Sequence, residues 1–95
     1  MSNDISVTEL KKMIPGIKII DIRENYQFNM GSIPTSINIP TNFLLTNPDI
    51  YLNKNSAYYL YCEYGTTSKN VCNKLANKGF NVINILGGVS EYKLK

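Results

Sequence analysis

Apolar positions in this chain change their spacing several times, and each change marks an element. Ser6-Val7-Thr8-Glu9 has the form of a capping box, a Ser oxygen for one orphan amide and a Glu three residues on, and Leu10, Met13 and Ile14 follow at helical spacing. A short helix is predicted there, stopped by Pro15-Gly16. Ile17 to Ile22 is a β-branched apolar run broken only by Lys18 and Asp21, the pattern of a strand buried on both faces. It predicts a central parallel strand ending near Asp21. Asn25 to Met30 offers one or two helical turns before Gly31-Ser32-Ile33-Pro34 breaks them. Ile37-Asn38-Ile39 reads as a short strand closed by Pro40, with Thr41 capping a small helix through Leu45 and a turn-rich stretch from Asn47 to Asn55. Ala57 to Tyr61 is a second strong strand. From Ser68 to Lys78 the apolar residues Val71, Cys72, Leu75 and Ala76 form one helix face, and Gly79 stands where a left-handed residue would end the helix. Val82 to Leu86 is a last strand, ended by Gly87-Gly88. Strands alternating with short helices predict an α/β domain with a mainly parallel central sheet flanked by helices.

Length and charge narrow the function classes. The 95 residues suffice for one modest core, so one domain over residues 1–95 is expected. Ten Lys+Arg against seven Asp+Glu give a net charge of +3, spread along the chain. That excess is too small and too scattered for a nucleic-acid footprint. No run approaches the ~18 apolar residues of a membrane span, so no membrane partner is expected. Two cysteines and no signal-like start favour a reduced, cytoplasmic setting. The chain has no histidine, which excludes an imidazole base and His-ligated zinc. No metal and no cofactor are called for, and nothing in the sequence bears on oligomeric state.

Chemistry concentrates after the Tyr58 to Tyr61 strand. Ligands of open parallel sheets bind beyond the carboxyl ends of the strands, where loops lead into helix N-termini. Cys62 occupies that place, and only Glu63-Tyr64-Gly65-Thr66-Thr67 separates it from the helix beginning at Ser68. So short a loop must curl tightly and turn several backbone N–H groups inward, with Gly65 supplying the permissive backbone. Inward amides and a helix N-terminus make an anion cradle, in which a thiolate is favoured and nucleophilic. From position alone two readings stand, a nucleophile or a small apolar residue closing a buried strand. Cys72, on the apolar stripe, is expected to fill the core.

Cys62-Glu-Tyr-Gly-Thr-Thr-Ser68 resembles the active-site loop of the rhodanese-like sulfurtransferases, Cys-x-x-Gly-x-Arg or Cys-x-x-Gly-x-Thr. The likeness extends to Ile19-Ile-Asp-Ile-Arg-Glu24, Tyr26, Phe28, Gly31, Ile33-Pro34 and Ile37-Asn-Ile-Pro40, and to Gly79-Phe80 with Leu86-Gly-Gly88. These motifs run in order from about Ile19 to Tyr92. The resemblance implies the rhodanese α/β fold, a persulfide on Cys62, a sulfane-sulfur donor and a thiol or protein acceptor. Ser32, Thr35 and Tyr92 depart from the family's usual His, Gly and Trp, and Thr67 stands where many single-domain members carry Arg. Glu63 is the most telling departure, because an acid beside the nucleophile opposes a dianionic donor such as thiosulfate. Lys69, one turn into the helix, is the nearest cation in sequence.

The candidate site is therefore Cys62 as nucleophile, Glu63, Tyr64, Gly65, Thr66, Thr67 and Ser68 as the substrate-binding loop, and Arg23 with Asp21 beside it. Arg23, the single arginine, could contact an anion there, but a structural pairing with Asp21, Glu24 or a loop carbonyl is the favoured reading. The competing class is a non-catalytic interaction module of the same fold, against which the presence of Cys62 and Gly65 argues. A phosphatase of the related fold needs Arg six residues after the Cys, where this chain has Ser68.

Overall fold

The computed structural model describes residues 3–95 as a five-stranded sheet in the order β1-β5-β4-β2-β3, with every neighbouring pair parallel. The strands are β1 (Asn3–Ile5), β2 (Ile19–Asp21), β3 (Ile37–Asn38), β4 (Ala57–Tyr61) and β5 (Asn81–Ile85). The helices are α1 (Val7–Lys11), α2 (Asn25–Met30), α3 (Thr41–Thr46), α4 (Pro48–Tyr51), α5 (Thr66–Asn77) and α6 (Gly88–Leu94). Because side chains alternate along a strand, β4 sends Tyr58, Leu60 and Cys62 to one face and Tyr59 and Tyr61 to the other. Each face carries its own core. Leu44 of α3 and Val71, Cys72 and Leu75 of α5 close the first; Val7 and Leu10 of α1 and Val89 of α6 close the second. This two-sided covering is why β2 and β4 read as continuous apolar runs.

The pattern-based expectations hold for the α/β class and for most elements. β2 is interior, parallel to both neighbours and ends at Asp21, as expected, and β4 is the middle strand. The Ile17 to Ile22 run gives a strand over Ile19–Asp21, and its flanks stay bonded to β4, the Lys18 carbonyl accepting from the Tyr59 N–H at 2.9 Å and the Ile22 N–H donating to the Tyr61 carbonyl at 3.0 Å. Helix α5 begins at Thr66, two residues before the expected start at Ser68, and ends as expected at a left-handed Gly79. There the Phe80 N–H reaches the Leu75 carbonyl at 3.1 Å and the Gly79 N–H the Ala76 carbonyl at 3.0 Å, the paired bonds of a Schellman end. Three elements lay outside the expectations. β1, Asn3-Asp4-Ile5, is polar at two of its three positions and held by pairing with β5; α4 begins at Pro48 within the turn-rich stretch; and α6 begins at the glycine pair that ends β5.

Two buried acidic hydrogens tie this core to pH. Tyr61 is fully buried, its hydroxyl oxygen accepting from the Ile33 N–H at 3.0 Å and lying 3.1 Å from the Ser36 Oγ, and burial pushes it from its ordinary 10.0 up to about 12. Burial likewise pushes the Cys72 thiol from 9.0 up to about 12. The folded state thus keeps protons that the unfolded chain releases, so the stability these groups contribute is complete below pH ~9 and is lost as pH rises toward ~12. Chemical denaturation across that range is expected to show a falling midpoint, and Cys72→Val to flatten the fall by roughly 2–4 kcal/mol. An unchanged slope in Cys72→Val would show that Cys72 ionises without unfolding the core.

Candidate active site

The chain turns from β4 into α5 in four residues, and backbone contacts with the next crossover hold the turn. Gly65 has φ +94°, and a Cβ there would lie 2.8 Å from the Gly87 nitrogen. Gly88, at φ +59°, packs its α-carbon against the Cys62 and Glu63 carbonyl oxygens, so that a Cβ would collide with the first and approach the second to 2.7 Å. Just beyond it, the Val89 N–H donates to the Cys62 carbonyl and the Ser90 N–H to the Glu63 carbonyl, both at 3.0 Å. The start of α6 therefore seats the start of the loop. Neither glycine tolerates a side chain, for reasons of space and of a left-handed backbone together.

Within this turn the Cys62 sulfur is almost covered, with the residue 7% exposed. Its Sγ accepts from the Gly65 N–H at 3.1 Å and the Ser68 N–H at 3.3 Å. The first four N–H groups of a helix lack intrahelical acceptors, and two of those at the start of α5 point at sulfur. The thiol in turn donates to the Ser68 Oγ at 3.3 Å. Ser68, fully buried, donates its own proton to Asn84 Oδ1 on β5 at 2.5 Å. A cleft of about 230 Å³ opens over the sulfur, walled by Ile22, Arg23, Glu24, Gln27, Glu63 and Thr67.

Apart from Glu24 on its wall, charge in this cleft is bound up in one cluster. The buried Asp21 carboxylate accepts from Arg23 N–H at 2.8 Å, from Nε at 3.1 Å and from Nη2 at 2.8 Å. Arg23 Nη2 also donates to the Gly31 carbonyl at 2.6 Å, and Nη1 donates to Glu63 Oε1 at 3.0 Å. The Asp21 hydrogen bonds outweigh burial and hold the guanidinium firmly charged. Glu63 spans the cleft edge, since its Oε2 accepts from the Ser90 Oγ of α6 at 3.0 Å. Two carboxylates on one guanidinium leave the trio at −1.

Most of the sequence-derived candidates fall in one place. Cys62, Glu63, Thr67 and Arg23 line the cleft, and Gly65 and Ser68 lie directly behind the sulfur. Tyr64 and Thr66 are on the loop but turn outward, with the Tyr64 ring 72% exposed. Arg23 is bonded to Asp21 and to a loop carbonyl, that of Gly31, two of the partners considered for it, and to Glu63 in place of Glu24; a fork so occupied is not a ready anion clamp. Cys72 lies in the core without exposure, as expected. Sequence reasoning missed Asn84, Glu24, Gln27 and Ser90. A signal existed for Asn84, a lone polar residue in the apolar run Val82 to Leu86, whereas Gln27 and Ser90 are brought in by α2 and α6 and carry no local mark.

Comparison with known proteins matches the same frame. The solved structure of SSP1007 from Staphylococcus saprophyticus superposes with a TM-score of 0.88 at 36% identity, covering 95% of this chain and 92% of that one. A rhodanese-related protein from Thermoplasma volcanium gives 0.89 at 28% identity over 97% and 91% of the two chains. UBA4 of Meyerozyma guilliermondii, named an adenylyltransferase and sulfurtransferase, is 37% identical over 82 residues, which are 78% of this chain and 19% of that protein. YtwF of Bacillus subtilis (strain 168), by its name a candidate sulfurtransferase, is 30% identical over 93 residues, 95% of this chain and 89% of its own length. A rhodanese-like domain model matches residues 6–95, so that the loop, the cluster and both glycine contacts all fall inside the match, and the chain belongs to the rhodanese-like domain family.

Proposed function

We propose that the protein is a sulfurtransferase that carries sulfane sulfur as a persulfide on Cys62. The observation that carries this reading is the pair of N–H groups, from Gly65 and Ser68, aimed at an otherwise buried sulfur. A structural cysteine has no need of them. In the first half-reaction the Cys62 thiolate attacks the outer sulfur of a donor persulfide; the new S–S bond forms as the donor S–S bond breaks, and the donor departs as a thiolate. In the second, an acceptor thiolate attacks the outer sulfur now on Cys62 and the Cys62 thiolate is the leaving group. No net oxidation occurs, so no redox cofactor enters the balance. The amides of Thr66 and Thr67, in the same first turn of α5, are suitably placed by sequence to receive the outer sulfur. The acceptor is a thiol, free or carried on a protein, and sulfur transfer agrees with the name of the UBA4 relative, an adenylyltransferase and sulfurtransferase. Among the described residues no helix is long and apolar enough to cross a membrane.

Intact-mass measurement after incubation with a persulfide donor tests the assignment. The protein is expected to gain one sulfur atom, Cys62→Ser to gain none, and Cys72→Ser to behave as the parent protein. A gain that survives in Cys62→Ser would overturn it.

The charge cluster gives a second expectation. Thiosulfate brings two negative charges toward a trio already at −1, and Arg23 is held by its partners, so thiosulfate is expected to be a poor donor. Glu63→Gln leaves Asp21 and Arg23 neutral as a pair and should raise kcat/KM for thiosulfate about two- to fivefold at low salt, the range of a partly exposed charge. The gain should shrink with ionic strength, over a Debye length of ~8 Å at physiological salt, while an uncharged persulfide donor changes less. Steady-state kinetics with both donors at two salt concentrations decides; equal gains for both donors would show that Glu63 acts on the loop and not on donor charge.

A further inference from the structure

A chain of buried hydrogen bonds leads away from the sulfur on the side opposite the cleft, and no step of the transfer uses it. Its order is Cys62 Sγ–H to Ser68 Oγ, Ser68 O–H to Asn84 Oδ1, and Asn84 Nδ2 to two acceptors, the Gly65 carbonyl and Asp4 Oδ1, each at 3.4 Å. Asp4 is paired with Lys69 at 3.0 Å. The direction of the chain follows from the inventory of donors. An amide presents NH₂ on one side and oxygen on the other, and the Gly65 carbonyl and the Asp4 carboxylate both accept only. Asn84 must therefore turn its NH₂ to them and its oxygen to Ser68. A hydroxyl has one proton, and Asn84 claims it.

We propose that Asn84 is a positioning residue that withholds the Ser68 proton from the Cys62 sulfur and thereby limits how readily Cys62 becomes a thiolate. While sulfur is protonated the arrangement is closed, for Sγ–H has an acceptor and Ser68 O–H has another. Once the thiol proton has passed to solvent through the cleft, the anion keeps the Gly65 and Ser68 N–H groups but gains the Ser68 hydroxyl as a third donor only if that hydroxyl abandons Asn84. The competition is between a buried amide oxygen and a sulfur anion for a single hydrogen. The inference rests on Cys62 being the reactive residue proposed above, and concerns its ionisation alone.

The rate of Cys62 alkylation against pH, with the modified residue identified by peptide mass, tests this without any sulfur donor. A negative result here is thus distinct from a failure of persulfide formation. The parent protein is compared with Asn84→Ala, Ser68→Ala and the double variant. In Asn84→Ala the Gly65 carbonyl retains the Lys69 N–H and Asp4 retains Lys69, so no acceptor is stranded. The midpoint is expected to fall by about one pH unit in Asn84→Ala, the worth of one hydrogen bond to a charged acceptor, and not to fall when Ser68→Ala is also present. The charged and titratable groups around the sulfur are Asp21 on β2, Arg23, Glu24 and Glu63 at the cleft, Lys69 and Cys72 on α5, Asp4 on β1, and Tyr61 on β4. All are common to the four proteins, so the Ser68-dependent part of the shift isolates the hydroxyl. An unchanged or raised midpoint in Asn84→Ala, or an equal fall with and without Ser68, overturns the proposal. Should Asn84→Ala fail to fold, Asp4→Asn at the surface loosens the orientation of Asn84. Loss of the Asp4 charge shifts both Ser68 backgrounds alike, and the proposal requires an additional fall confined to the background that keeps Ser68.

Discussion

Everything about the site depends on two chain segments meeting backbone to backbone. The turn from Cys62 to Ser68 can be tight only because Gly65 lies against Gly87, and it stays in place because Gly88 lets α6 start directly on the Cys62 and Glu63 carbonyls. These contacts join the end of β4 to the end of β5, neighbouring strands in the middle of the sheet. The parallel ladder fixes where the two ends lie, and the glycines allow them to touch. Side chains then have little freedom in the matter. The sulfur is aimed by backbone geometry, which is stiffer than any rotamer choice could make it.

The electrostatics follow the same logic of prior commitment. An arginine near an anion-binding loop suggests a clamp, but a guanidinium recognises an anion only with donors to spare. Here Asp21, Gly31 and Glu63 take Arg23 from three directions and convert it into a brace between β2, α2 and the loop. Because Glu63 also reaches Ser90, the brace extends to α6, and the rim of the cleft is one continuous polar structure. Its residual charge is negative, which sets it apart from an anion-seeking mouth.

Reading the sequence went furthest where a local rule had a single outcome. The alternation of β4, the apolar stripe of α5 and the glycine at its end each announce one structure, and Cys62 stands out because strand, cysteine, glycine and helix follow one another within a few residues. Elements made by partners were harder to see. β1 carries Asn and Asp at two of its three positions and is a strand only because β5 offers it a ladder, a case of pairing overriding propensity. α6 starts where two glycines signal an ending, and they do end β5; the same left-handed residues also redirect the chain into a helix. Ser90 and Gln27 were invisible for the same reason, since what brings them to the cleft is the docking of α6 and α2 and no pattern around the residues themselves. Asn84 is the intermediate case, where a polar intruder in an apolar strand gives notice of a buried partner without naming it.

Cys72 gives the chain its economy. It shares a core cluster with Cys62, yet it is sealed by Val71, Leu75 and their neighbours, and burial keeps it a thiol far above neutral pH. The chain has no third cysteine. A sulfur atom loaded on Cys62 would therefore find no second accessible thiolate within the molecule and no internal disulfide by which to be expelled. It would wait for a visitor. The lifetime of the loaded state would then be set by encounter with an acceptor that can reach the cleft, and discharge would be timed from outside.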